Sequence, residues 1–200
     1  GRILVQPFSL AIQAGETVTL MGPSGSGKSS LLAYIAGDLP FPLKAGGSLH
    51  LGSRALDSLP PETRKIGRLF QDDLLFPHLT VSENLLFGIE RGPRKERLEK
   101  MREALATAEL QGLGDRAPHT LSGGERTRVA LFRALLAKPS AMLLDEPFAK
   151  LDSNLRAAMR GFVFGHLKER GIPSLLVTHD RTDAPLDGRI FTIGAEGQVT

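Results

Sequence analysis

Residues 22–29 have the composition and spacing of a loop that binds phosphate groups, Gly-Pro-Ser-Gly-Ser-Gly-Lys-Ser. The glycines can adopt backbone conformations closed to other residues, so successive peptide N–H groups can turn toward a polyphosphate. Lys28 would then reach the β- and γ-phosphates, and the Ser29 hydroxyl would contact Mg²⁺. The alternative interpretation is a flexible Gly/Ser turn that matches the pattern by chance.

The segments on either side of this loop favour phosphate binding. Residues 18–21 are a short apolar and β-branched run, typical of a buried strand. Residues 30–36 favour a helix, which Gly37 can end. The helix would add the positive end of its dipole to the loop. Strand, glycine-rich loop and helix therefore occur in the order that a phosphate site requires.

Two adjacent carboxylates, Asp145 and Glu146, follow a second apolar run. At the end of a buried strand, Asp145 is placed to hold a metal ion, and Glu146 could reach an attacking water as a general base. Adjacent residues on a strand point to opposite sides, so this division of roles requires the chain to turn there. The alternative is a surface Asp-Glu pair, which the four preceding apolar residues disfavour.

A histidine follows a third apolar run, residues 174–177. Ligands bind at strand ends in open α/β sheets, so the His179 imidazole could contact a γ-phosphate there. Taken alone, His179 is better explained as a structural or exposed residue. The other histidines lack a comparable context and are interpreted as surface or packing residues: His50, His78, His119 and His166.

The order of the predicted elements indicates an α/β fold. A hairpin is expected over residues 8–12 and 17–20, with further strands at 48–51, 66–71, 141–145, 174–178 and 189–193. Helices are expected over 94–109 and 126–137, and Thr80 with Glu83 has the pattern of a capping box. These elements predict one domain with a mainly parallel sheet. Residues 1–71 and 137–200 would form its core, and residues 72–136 an inserted helical subdomain.

The bulk composition limits the classes of function. A hydrophobic content of 41% in 200 residues is enough to bury a sizeable core, and the net charge of +3 is too small to imply nucleic acid. The absence of cysteine excludes disulfides and thiolate catalysis, and fits an intracellular protein. No apolar run reaches the roughly 18 residues that span a bilayer, so any membrane role is expected to be peripheral. The first residue is Gly1 rather than Met, so an upstream segment could be missing.

Six motifs, taken together, resemble the ATPase subunits of ABC transporters in their order and spacing. They are residues 22–29, Gln71, residues 121–125 (Leu-Ser-Gly-Gly-Glu), Asp145-Glu146, Leu151-Asp152 and His179. The Leu-Ser-Gly-Gly stretch is the most discriminating, because other classes of P-loop protein do not combine it with a phosphate loop about ninety residues upstream. The resemblance implies a P-loop NTPase with a RecA-like parallel core, an antiparallel β subdomain, and a helical subdomain that carries this signature loop.

The resemblance also implies a role for each matching residue. Gln71 would contact Mg²⁺ or the attacking water, Asp145 would complete the metal shell with Ser29, and Glu146 would be the catalytic base. His179 would contact the γ-phosphate. The expected ligands of ATP are Gly22, Pro23, Ser24, Gly25, Ser26, Gly27, Lys28, Ser29 and Ser30, together with Ser122, Gly123, Gly124, Glu125 and Asp152 from a second copy.

Three features depart from the family pattern. Glu125 replaces the commoner glutamine and brings a negative charge near a polyphosphate unless its side chain points away. Ala149-Lys150 occupies a place where a small polar serine is common, which puts the contacts of this loop with a second copy in doubt. The aromatic residue that stacks on adenine would lie upstream of residue 1, and Phe8 is expected in the core.

Among the branches of the family, the sequence is most similar to the separate ATPases of bacterial importers. The similarity lies in residues 71–81 and in Asp145-Glu-Pro-Phe148. The first hypothesis is therefore an ATP-hydrolysing homodimer that binds ATP and Mg²⁺ and drives a separate membrane permease. It would lie at the cytoplasmic face of the inner membrane, with a substrate-binding protein as a further possible partner and no nucleic acid. The alternative is a soluble ABC ATPase that acts on a protein or nucleic-acid complex.

Overall fold

The computed structural model describes residues 3–200, which form six helices and seven strands in the order expected of an α/β protein. The strands are β1 (Thr17–Met21), β2 (His50–Leu51), β3 (Arg54–Ala55), β4 (Ile66–Leu69), β5 (Ala141–Asp145), β6 (Ser174–Val177) and β7 (Ile190–Thr192). The helices are α1 (Lys28–Ala36), α2 (Pro61–Arg64), α3 (Val81–Gly88), α4 (Arg94–Thr107), α5 (Gly123–Leu136) and α6 (Ser153–Glu169).

The larger sheet has five strands in the order β4-β5-β6-β1-β7. β1 pairs in parallel with β6 and β7, and β5 pairs in parallel with β6. The register places Leu20 beside Val177, and Val177 beside Asp145. The ends of β1, β5 and β6, where the phosphate loop, Asp145 and His179 were predicted, therefore lie at the same edge of the sheet.

The predicted hairpin at the N-terminus is wrong. Residues 8–12 are not in a strand, although the turn that follows them is present and Glu16 N donates to Gln13 O. Both edges of β1 are occupied by β6 and β7, which come from more than 150 residues further along the chain. A preceding strand has no free edge of β1 to pair with. The smaller antiparallel sheet is instead the two-residue ladder of β2 and β3.

Local sequence explains where several helices begin and end. α1 ends at Gly37, whose φ of +91° and N–H bonds to Ala33 O and Tyr34 O make a left-handed C-cap. α3 begins at Thr80 with the predicted capping box, because Thr80 and Glu83 each accept a hydrogen bond from the other's backbone N–H. α5 begins at Gly123, earlier than predicted, for a similar reason given below.

The chain divides into two compact units. The first comprises the described part of Gly1–Arg68, with Ser140–Glu146 and Phe162–Thr200. Its apolar core is built on β1 and α1, and consists of Val18, Leu20, Leu32, Ala36, Leu143, Leu175, Val177 and Ile193. Burial of these aliphatic side chains fixes the strands whose ends carry the candidate site.

The second unit comprises Leu69–Pro139 and Pro147–Gly161. Within it, α3 packs against both α4 and α5. The side chain of Asn84 on α3 is fully buried and exchanges hydrogen bonds with both backbone groups of Phe76, at 2.9 and 3.2 Å. This one amide therefore fixes the loop that precedes α3.

None of the helices within residues 3–200 combines the length and apolar composition needed to cross a lipid bilayer.

Candidate functional site

The loop of residues 22–27 has a backbone that only glycine accepts at its key positions. Gly22 has a φ of +149°, and a Cβ atom there would lie 2.5 Å from the Ile193 carbonyl oxygen. Gly27 has a φ of +96° and forms the N-cap of α1, where Leu31 N donates to its carbonyl at 2.8 Å. The loop is thus held in a shape that other residues would disrupt, as the sequence predicted for a phosphate site.

The N-terminus of α1 is available to an anion. Within residues 3–200, no side chain caps this helix end, and its first turn contains no acidic residue. The helix therefore provides no carboxylate of its own to its first N–H groups or to the positive end of its dipole. The start of α1 can bind a phosphate without displacing a side chain from these groups.

The Lys28 side chain is buried inside this loop. Its ammonium donates to Gly22 O at 2.8 Å, to Pro23 O at 2.7 Å and to Ser26 Oγ at 3.4 Å. Burial lowers the pKa of Lys28, whereas the negative charges of Glu146 and Asp145 oppose that shift. The ammonium therefore uses its three hydrogens on weak neutral acceptors, for which a phosphate oxygen is a stronger replacement.

Asp145 lies buried at the end of β5 and accepts a hydrogen bond from the Ser29 hydroxyl. Burial raises its pKa, while the Ser29 hydrogen bond and the positive charges of Arg68 and Lys28 counteract the rise. A carboxylate and a hydroxyl in contact are oxygen donors of the kind that Mg²⁺ prefers. These two residues, which the sequence predicted as metal ligands, are therefore together and chemically suited to a hard cation.

Glu146 stands where the chain turns away from β5, as the predicted division of roles required. Its φ of +49° is unusual for a residue with a side chain, and its N–H donates to Val177 O at 2.9 Å. A left-handed backbone at a non-glycine residue costs about 1 kcal/mol or more, and such strained residues recur at active sites.

The Glu146 carboxylate contacts the predicted histidine. His179 Nδ1 lies 3.1 Å from Glu146 Oε1, and the imidazole is 66% exposed. The loop that carries His179 is fixed on both sides, because Thr178 Oγ1 donates to Asp183 Oδ2 and Thr182 N donates to Asp180 Oδ1. The structure thus brings the exposed imidazole and the candidate base together on adjacent strand ends.

The remaining predicted site residues belong to the second unit. Ser122 is the N-cap of α5, and its backbone N–H donates to Glu125 Oε2 at 2.6 Å while its Oγ accepts from Glu125 N at 3.3 Å. These two bonds form a capping box, and the hydrogen bonds from Ser122 lower the pKa of Glu125. The Ser-x-x-Glu pattern of residues 122–125 could have predicted this box from the sequence. The Glu125 charge is directed back at the start of its own helix.

Asp152 has a local role in addition to any role across a dimer. Its Oδ1 accepts from Leu155 N at 3.1 Å, and its carbonyl accepts from Arg156 N at 2.8 Å, so that Asp152 caps the start of α6. Gln71 is exposed, and its carbonyl accepts from Lys150 Nζ at 3.1 Å. Gly123 and Gly124 lie in the first turn of α5, where a Cβ on Gly124 would be 3.1 Å from Lys150 O.

Sequence comparisons identify the family. The sequence profile of the family described as ABC transporter matches residues 5–149. The chain is 43% identical over 189 residues to the ABC transporter ATP-binding protein YnjD of Escherichia coli, covering 94% of this chain and 87% of the relative. It is 43% identical to the sulfate/thiosulfate import ATP-binding protein CysA of Halalkalibacterium halodurans and 44% identical to the Fe(3+) ions import ATP-binding protein FbpC of Pseudomonas fluorescens.

The alignments with these two import proteins cover 96% and 90% of this chain, but 57% and 51% of the relatives. The chain therefore spans about half the length of several curated relatives that it matches. Among solved structures, the dimeric bacterial ABC transporter cassette MJ0796 superposes with a TM-score of 0.85 at 33% identity, covering 98% of this chain and 88% of that one. A second structure of the same cassette, with the same score and coverage, is described as a post-hydrolysis state bound to ADP and Pi.

The fold and the phosphate loop define a P-loop NTPase. The chain belongs to the ABC transporter family, as the match over residues 5–149 shows. The predicted resemblance to an ATP-binding subunit, the predicted fold class and the assignment to a class of ATPases are thereby confirmed.

Proposed function

We propose that this chain binds and hydrolyses ATP as one half of a homodimer that powers the import of a solute through a separate membrane permease. The observation that carries the proposal is the arrangement in the first unit. There, the phosphate loop encloses the Lys28 side chain and leads into an uncapped helix N-terminus, and Asp145, Glu146 and His179 lie on the adjacent strand ends. These groups provide the anion site, the oxygen ligands and the base that phosphoryl transfer requires.

The residues of the phosphate loop bind and orient the nucleotide. Lys28 exchanges its bonds to Gly22 O and Pro23 O for phosphate oxygens, and the N–H groups at the start of α1 bind the phosphates. Ser29 and Asp145 would hold Mg²⁺, with Gln71 as the further ligand that the family resemblance implies. A bound Mg²⁺ would neutralise charge on the β- and γ-phosphate oxygens.

Hydrolysis then depends on Glu146 and His179, whose side chains are in contact at the ends of β5 and β6. Glu146 accepts a proton from the attacking water, and His179 orients the Glu146 carboxylate through its 3.1 Å contact and donates to the γ-phosphate. The signature residues Ser122–Glu125 and Asp152 act on the ATP of the second copy. The dimeric structures of the MJ0796 cassette support the formation of a dimer.

Glu125 is expected to weaken the ATP-dependent dimer in exchange for a stronger helix start. Glu125→Gln keeps the capping box but removes a negative charge near the partner's polyphosphate, so the dimer dissociation constant should fall about three- to tenfold at low salt. Because the folded-state pKa of Glu125 is lowered, its ionised form stabilises the fold above the ordinary pKa of Glu, and this contribution disappears as pH falls through the lowered pKa. At neutral pH the Glu125→Gln variant should therefore unfold at a slightly lower temperature than the wild type.

Both effects can be measured by light scattering with ATP and by thermal unfolding without it. Glu103→Gln, on the exposed side of α4, removes the same charge and serves as the control. Weaker dimers in Glu125→Gln than in the control would contradict a position near the partner's phosphates.

The surface near α3 is where we expect the permease to bind. Phe87 is 67% exposed, and Phe76 packs beneath it with the ring centroids 4.6 Å apart. Arg133 lies over the Phe76 ring at 5.0 Å. Local packing thus accounts for Phe76, while Phe87 leaves an aromatic face open to a partner.

Recovery of a membrane partner distinguishes the transporter from a soluble ABC ATPase. A tagged Glu146→Gln chain, isolated with ATP from membranes of the source organism, should retain an integral membrane protein. Phe87→Glu in that background should remove it, whereas Phe41→Glu, at a ring that is 97% exposed elsewhere in the chain, should not. Absence of any integral membrane protein from the Glu146→Gln sample would favour the soluble alternative.

A further inference from the structure

Lys150 lies at a position where the family resemblance predicts a small residue, and the structure shows what its long side chain contacts. Its ammonium donates to Gln71 O at 3.1 Å and to Asp73 Oδ2 at 3.3 Å. Gln71 and Asp73 are 79 and 77 residues earlier in the chain. Lys150 therefore connects the loop after β5 with the loop after β4, within the second unit.

Asp73 is also bound by the start of α5. Its Oδ1 accepts from Thr127 Oγ1 at 2.7 Å, and its Oδ2 lies 3.3 Å from Arg126 Nε. The Asp73 side chain is 9% exposed, whereas those of Arg126 and Lys150 are 37% and 39% exposed. One nearly buried carboxylate thus collects three donors from two other segments. We call Asp73, Arg126, Thr127 and Lys150 the Asp73 cluster.

The backbone packs tightly beside the Asp73 cluster. A Cβ on Gly124 would lie 3.1 Å from Lys150 O and 3.4 Å from Leu151 Cδ2, so the loop carrying Lys150 lies directly on the first turn of α5. Leu74, next to Asp73, has a φ of +40°, which is unusual for a leucine. Arg133 Nη2 donates to the Leu74 carbonyl at 2.8 Å, so α5 holds this strained segment at a second point.

We propose that Lys150 is a positioning residue for ATP hydrolysis. It holds the Gln71 backbone, the start of the signature helix and the loop that ends at Asp152 in one arrangement. This proposal rests on the proposed function, because Gln71 and the signature loop matter to hydrolysis only in an ATPase. Through these contacts Lys150 connects the three segments within one chain.

The contribution of Lys150 to stability is small, and this separates positioning from folding. The Lys150 side chain is 39% exposed, and Asp73 keeps its bonds from Arg126 and Thr127 when the ammonium is removed, so the carboxylate is not left without donors. Lys150→Met retains the aliphatic stem and removes the two polar contacts. The unfolding temperature should therefore change little, while the segment around Gln71 gains freedom.

The test combines steady-state kinetics with hydrogen exchange of the full chain. Lys150→Met should lower kcat for ATP hydrolysis about three- to tenfold, with KM for ATP within about twofold, because misplacement of a reacting group affects the chemical step. Backbone amides of residues 71–75 should exchange faster in the nucleotide-free variant. Lys150→Arg, which can donate to both acceptors, should recover most of the lost kcat.

A double-mutant cycle assigns the effect to the cluster. In the Asp73→Asn background, Lys150→Met should lower kcat less than it does in the wild type. Lys138→Met is the matched control, since Lys138 forms an exposed ion pair with Glu90 at 3.0 Å in the same unit. An active wild type with unchanged kcat or unchanged exchange in Lys150→Met would overturn this proposal alone. A wild type without ATPase activity would overturn the proposed function as well.

Discussion

Glu146→Gln should reduce ATP hydrolysis by about two to four orders of magnitude while ATP binding survives. The amide has the shape of the carboxylate and can still contact His179, which lies 3.1 Å away. It cannot accept the proton of the attacking water at neutral pH, so the loss falls on kcat. The expected product is an ATP-bound dimer that does not reopen.

Single-turnover phosphate release and titration with a fluorescent ATP analogue separate the two steps. Glu90→Gln, which removes a carboxylate from an exposed ion pair with Lys138, should leave both steps within about twofold of wild type. Equal losses of binding and turnover in Glu146→Gln would show that the carboxylate holds the nucleotide and does not act as a base.

The strained backbone at Glu146 makes this substitution more informative than a truncation. The φ of +49° would be relieved by glycine, so Glu146→Gly would change both the chemistry and the turn. Glutamine keeps a long side chain at the same backbone position. Any difference between Glu146→Gln and wild type can therefore be assigned to the carboxylate.

Local patterns in the sequence predicted the strand, the glycine-rich loop and the helix around residues 22–29 well. Strand, glycine-rich loop and helix lie next to one another along the chain, and the φ of +96° at Gly27 and the C-cap at Gly37 follow from residue type. The end of β5 was also predictable, because an apolar run followed by Asp145 has few other interpretations. In these places the physical cause lies within a few residues.

The predictions from sequence failed where the local structure is determined by residues far along the chain. Residues 8–12 have the composition of a strand, but β6 and β7 occupy both edges of β1. Asp73 was missed because its partners Arg126 and Lys150 are 53 and 77 residues away. The sequence flagged Lys150 as a departure from the family, but only the structure showed its partners. Patterns among neighbouring residues do not specify contacts between segments that lie so far apart along the chain.

The helix-capping role of Glu125 explains how this residue can replace the glutamine that is common in the family. From the sequence alone, the Glu125 carboxylate was expected to bring a negative charge near a polyphosphate unless its side chain pointed away. The structure directs that carboxylate to Ser122 N at 2.6 Å, in a capping box that either glutamate or glutamine can form. The family's glutamine and this glutamate thus preserve the same helix start and differ in charge alone.

Lys28→Ala should weaken nucleotide binding strongly and abolish turnover, because Lys28 is the cationic residue of the loop sequence 22–29. At a nucleotide concentration one hundred times its dissociation constant, wild-type protein should gain about 2.7 kcal/mol of stability. For a chain of this size, that gain corresponds to an increase of about 5–10 °C in the unfolding temperature. Lys28→Ala should show little or no increase under the same conditions.

The nucleotide-free proteins provide the control for this comparison. Lys28 donates to Gly22 O and Pro23 O, and Gly22 is half-buried while Pro23 is exposed, so we expect water to replace the lost ammonium and Lys28→Ala to fold. Lys138→Ala, at an exposed lysine, should keep the full nucleotide-dependent shift. Near-normal stabilisation by ATP in Lys28→Ala would refute the assignment of residues 22–29 as the phosphate site, because no other ammonium donates to the carbonyls of that loop among the hydrogen bonds described for residues 3–200.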